Sequence, residues 1–147
     1  MSVLQSKRSV ASTEFVSTAR DIYLETLTFL TKLSHKYSRL VAEQIAELAG
    51  EVMDFCMKAN EIFPNSEMNK ELRKEYLLRA RSSLGALDNR LSICYELMNR
   101  NPQGCFEKNV SSSEAKDKIS KMAEKVGNLI DTEFKLIKGV LESDKRR

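Results

Sequence analysis

The stretch YLLRARSSLGALDNRL, Tyr76–Leu91, decides the fold. Its apolar residues Leu77, Ala80, Leu84, Leu87 and Leu91 recur at alternating steps of three and four. On a helical wheel they fall within an arc of about 80°, the narrow stripe of a helix that packs against other helices. The flanks are less ordinary. Arg79, Ser83 and Arg90 lie roughly 100° to one side of the arc's centre, with Ala86 slightly further round, while Lys74, Arg81, Gly85, Asp88 and Ser92 lie on the other. A glycine inside a helix costs about 1 kcal/mol relative to alanine, so its presence needs a reason. Small residues let another element approach closely, and arginines beside them can pair with carboxylate or phosphate. Two readings follow and stay open: the flanks accommodate neighbouring helices, or one flank is a subunit contact and the arginines line what the assembly encloses.

The same period recurs elsewhere. A first segment places Phe15, Ala19, Ile22, Thr26, Phe29 and Leu33 on one stripe, and a second places Val41, Ile45, Leu48, Val52, Phe55, Ala59 and Ile62. The third continues through Cys94 to Met98, and a fourth runs Ala115, Ile119, Met122, Val126, Ile130, Ile137 and Leu141 with one slip. A spacing near 3.5 residues predicts helices crossing at small angles. Ser38 is the expected cap of the second helix, FPNS (Phe63–Ser66) stops it, NPQG (Asn101–Gly104) ends the third, and Ser111 with Glu114 is a capping-box signature for the fourth. The first two connections are short, so those neighbours are antiparallel. The expected fold is therefore all-α, an antiparallel up-down-up-down four-helix bundle over residues 13–143, with a flexible arm at 1–12 and a basic tail at 144–147.

Composition agrees. A chain of 147 residues can bury a full core as one domain, and five Gly and two Pro leave few turns. Three cysteines lack metal-site spacing, which fits a reduced, cytoplasmic setting. Met1–Thr13 has no apolar block of signal-peptide type and no stretch approaches a membrane span, so a soluble protein without membrane contact is expected. The single histidine, His35, sits at a helix junction and reads as a surface residue. Phosphate loops, serine elbows and zinc spacings are absent. The expectation is a non-enzyme with no cofactor, no metal and no small-molecule substrate.

The net charge of +3 resides in the termini: between Glu14 and Ser143 there are 19 basic and 20 acidic residues. Basic surface must then arise by clustering. In the antiparallel bundle Lys32, His35, Lys36 and Arg39 share an end with Arg100 and Lys108, and Glu107 is the one acid close by in sequence. At the other end Lys70, Arg73 and Lys74 meet the tails, offset by Glu67, Glu71 and Glu75. Tyr37 is the one tyrosine expected to be exposed, so base-specific stacking has little support and backbone contacts would dominate any nucleic-acid binding.

The third helix also resembles the corresponding motif of a bacterial four-helix-bundle superfamily, which includes the ribosomal-RNA intervening-sequence proteins and the Avd proteins, the accessory variability determinants of diversity-generating retroelements. The pattern is carried by Tyr76-Leu77, Ala80, Ser82-Ser83, Leu84, Leu87 and Asp88. The second helix, QIAELAGEVMDFCMKANEIFP (Gln44–Pro64), is similar to the Avd branch in its Ile-x-x-Leu-Ala segment and its Ala59-Asn60 pair. The loop holding Cys105 and Phe106 looks longer than is usual in the family, and the near-neutral body departs from the strongly basic character of Avd proteins. The resemblance implies a homopentamer that binds a reverse transcriptase and its template RNA. Arg73, Lys74, Arg79, Arg81, Arg90, Lys32, Lys36 and Arg39 are the candidate contacts. The alternative is a protein-interaction or scaffold bundle whose arginines make intersubunit salt bridges.

Overall fold

The computed structural model describes residues 13–146 and is an antiparallel four-helix bundle: α1 Glu14–Thr31, α2 His35–Glu61, α3 Glu67–Arg100 and α4 Ser112–Lys145, with one 3-10 turn at Pro102–Gly104. The expected arm at 1–12 lies outside the described residues. Each helix packs on its chain neighbour, and α4 closes the bundle against α1. Cross-helix bonds fix the register. Gln44, Glu51 and Ala59 on α2 meet Arg90, Ser83 and Arg73 on α3 in reverse order, and Glu25 on α1 pairs with Lys125 on α4.

The apolar stripes of α1 and α3 are buried over their whole length, from Phe15 to Leu33 and from Leu77 to Met98. On α2 the buried line is Tyr37, Ile45, Ala49, Val52, Cys56 and Ala59, whereas Leu48 and Phe55 are half-buried. The small residues at 49, 56 and 59 turn toward the core because they let the helices approach closely, and this rotates the larger Leu48 and Phe55 to the flank. Tyr37 is consequently only 5% exposed, not the open tyrosine expected. The helix also starts a turn earlier than Ser38. Ser34 is the N-cap in an extended conformation, and Ser38 N–H already donates to Ser34 O at 2.8 Å. Ser111 caps α4 as expected, its Oγ accepting from Glu114 N–H at 3.2 Å. Ser66 caps α3 by the same bond to Asn69 N–H, at 3.1 Å.

Two backbone bonds tie the bundle end together. Ser34 N–H donates to Cys105 O at 2.8 Å and Glu107 N–H donates to Lys32 O at 2.9 Å, forming an antiparallel bridge between Leu33 and Phe106. Cys105 and Phe106, both buried, plug this end, so the long loop is an integral part of the core.

At the opposite end the expected tail boundary moves. α4 continues through Lys145, because Asp144 is buried and accepts from Arg73 Nε at 2.6 Å. Arg73 also donates from Nη1 to Ala59 O and Ile62 O, at 3.0 and 3.2 Å, adding a second donor to Ala59 O, which already accepts from Ile62 N–H, and capping the C-terminus of α2. One guanidinium thus joins three helices. Removing one partner of a buried pair strands the other charge. Asp144→Ala is therefore expected to lower the unfolding free energy by about 3–5 kcal/mol in urea titration, and a loss below about 1 kcal/mol, the level of a surface pair, would contradict this role.

Candidate functional site

The candidate cations fall into three groups. Arg73 is spent on Asp144 and on the α2 carbonyls at 8% exposure, so it is corrected from a surface contact to a structural residue. Arg79 and Arg90 are exposed but engaged along the α2–α3 seam. Arg79 Nη2 donates to Glu75 at 2.8 Å with its guanidinium 6.0 Å from the Phe55 ring centre, and Arg90 Nη1 donates to Gln44 at 2.7 Å. Ser83 Oγ donates to Glu51 Oε2 at 3.0 Å in the same seam. This flank of α3 faces a neighbouring helix. Arg81 and Lys74 lie on the other flank, exposed, with Lys74 beside Leu141 and Lys145 in a shallow groove between α3 and α4.

Gly85, also on that flank, has nothing within 4 Å of where a Cβ would stand. No neighbour among the described residues needs it to be glycine.

The third group is Lys32, Lys36 and Arg39. All three are exposed, and none makes a salt bridge among the described residues. The structure brings Lys32 and Lys108 to one groove, where Lys118 and Lys121 of α4 join them. The last two escaped the sequence reading because they precede the core face of α4 and become neighbours of Lys32 only when α4 packs on α1. Arg100 stands apart, paired with Glu96 at 3.3 Å. Lys36 occupies the first turn of α2, which holds no acidic residue. The helix dipole disfavours a cation there by about 0.3–1 kcal/mol, a cost that an approaching anion reverses.

A further residue was missed altogether. The slip in the α4 stripe falls at Glu133, which is fully buried with Oε1 unpartnered. Its Oε2 has only the Cys56 thiol, at 4.0 Å. Burial first, and then the charge of Glu14, push its carboxyl up to about 8 from 4.5, while burial and Glu133 itself push the Cys56 thiol above its ordinary range. The gap between Ile130 and Ile137 was the available signal.

Among the described residues no cluster of His, Cys, Asp or Glu could hold a metal ion, and no helix is long and apolar enough to cross a membrane. Comparison with protein families, curated proteins and solved structures gives no match.

Two outcomes follow. Between pH 4.5 and about 8 the unfolded chain releases the Glu133 proton that the folded chain keeps, so stability falls as pH rises across that window. The loss approaches about 1.4 kcal/mol per pH unit. Urea unfolding at several pH values should show that slope in wild type and a flatter one in Glu133→Gln; equal slopes would refute it. Gly85→Ala should stabilise the isolated chain by about 0.5–1 kcal/mol in thermal or urea melts, since the new methyl meets open space, and a destabilised chain would show that this flank is not open.

Proposed function

We propose that the protein is a non-enzymatic, oligomeric accessory bundle of the Avd type that contacts nucleic acid through the end formed by the α1–α2 junction and the α3–α4 loop. The observation that carries this reading is the placement of Lys36. A cation in the first turn of α2, without an acid in that turn and without a salt bridge, is a local cost that phosphate binding relieves. Lys32, Arg39, Lys108 and Lys118 extend the same field, none of them in a salt bridge among the described residues. Their chemistry suits backbone phosphates: exposed cationic side chains, mostly flexible ammoniums, supply charge without a fixed pattern of base readout. The helix-three motif supports the kinship, and with it a homopentamer, a reverse transcriptase and its template RNA as partners in a cytoplasmic setting.

A second reading has its own observation. Phe63 and Met68, at the α2–α3 turn, are 71% and 80% exposed, and Leu40 and Ile93 are also open. Apolar side chains of this size favour contact with protein, either another copy or a partner. In a scaffold bundle the exposed Phe63 and Met68 at the α2–α3 turn would carry the function and the cations at the other end would be solvated.

Gel-shift titration with a structured RNA separates the two. The nucleic-acid reading expects retention at low salt that weakens steeply as salt rises. It expects Lys36→Glu with Arg39→Glu to lower the log–log salt slope by about 1–2, the equivalent of one or two phosphate contacts. Absence of any shift at about 50 mM salt would sink it and leave the scaffold reading.

A further inference from the structure

The groove between the end of α1 and the first turns of α4 has a more specific character than the basic end as a whole. Its volume is about 380 Å³, at the small end of ligand sites. Lys32, Lys108, Lys118 and Lys121 line it, against Glu107 in the wall and Asp117, which pairs with Lys121 at 3.1 Å. Phe106 and the half-buried Met122 form an apolar floor. Lys118 Nζ lies 5.8 Å from the Phe106 ring centre, held by the ring face rather than by an acid. The wall does not need to assemble on binding, because the Leu33–Phe106 bridge already clamps the loop to the end of α1.

Three ammoniums outside any salt bridge among the described residues, Lys32, Lys108 and Lys118, over an apolar floor in a preformed groove suit a compact anion attached to a flat organic body. Charge complementarity selects phosphate, and the floor selects something besides phosphate, since an inorganic ion would leave Phe106 and Met122 unused. We infer that this groove binds a single phosphorylated nucleotide, its phosphate among Lys32, Lys108 and Lys118 and its base or sugar along the Phe106–Met122 floor. The choice of a nucleotide among organic phosphates rests on the nucleic-acid reading above; the requirement for an organic phosphate does not. The nucleotide can be free or can be the phosphorylated end of a strand.

Full-length protein is titrated with AMP, with inorganic phosphate, and with a short labelled oligouridylate with or without a 5′-phosphate. AMP should bind saturably and more tightly than inorganic phosphate. Lys108→Gln with Lys118→Gln should weaken AMP by about tenfold, as expected for two charge-assisted contacts, with no change in melting temperature. Preference for the phosphorylated oligouridylate over its unphosphorylated form assigns the groove to strand ends, and equal binding of the two beside tight AMP binding assigns it to the free nucleotide; either supports the site. Failure of AMP to bind, AMP binding no tighter than phosphate, or AMP binding indifferent to the double substitution would overturn it. The two proposals fail separately: RNA retained without AMP binding removes the groove alone, and AMP bound without RNA retention removes the nucleic-acid reading alone.

Discussion

The structure depends on four apolar stripes burying one another, for the described chain has no disulfide and no metal site to hold it otherwise. Each stripe is narrow, so each helix must be covered on one face only, and four helices satisfy one another in a closed ring. Burial of each large aliphatic side chain contributes about 1.5–3 kcal/mol. Everything functional then follows from what the stripes leave outside. They bring the end of α1 and the loop before α4 beside the first turns of α4, where cations far apart in sequence share a groove.

Two features sharpen the ends that the stripes leave loose. At one end Arg73 reaches Asp144 and the last carbonyls of α2. At the other the Leu33–Phe106 bridge pins the long loop, with buried Cys105 and Phe106 beneath it. The second turns a connection that could have been solvated into a fixed wall of the groove. The cysteines there are packing residues: burial pushes the Cys94 thiol up to about 11, and it also pushes that of Cys105 up, which keeps both from acting as thiolates.

The fold was legible because period and punctuation agreed. In α3 every residue of the stripe from Leu77 to Met98 is buried, since nothing in that helix competes with its leucines. In α2 the small Ala49, Cys56 and Ala59 compete with Leu48 and Phe55, and the choice depends on how close the neighbours come, which a single helix does not encode. The site was legible in part for the same reason. Lys32, Lys36, Arg39 and Lys108 follow from topology alone, whereas Lys118 and Lys121 required the rotation of α4. Arg73 and Asp144 lie 71 residues apart, and no local pattern announces their bond. Glu133 left only a gap in a stripe. The arginines of Tyr76–Leu91 now have an intrachain account on one flank, through Glu75, Phe55 and Gln44, while Gly85 and Arg81 on the other remain open.

If the proposed function holds, nucleic acid meets the bundle at its basic end and not along the arginines of α3. Amide hydrogen exchange, with and without a saturating structured RNA, reads this directly, because amides covered by a bound strand exchange more slowly than in the free protein. New protection is expected only at residues 32–39, 105–110 and 112–122. Protection centred instead on residues 79–90 of α3, or none at a concentration where RNA is bound, would contradict it.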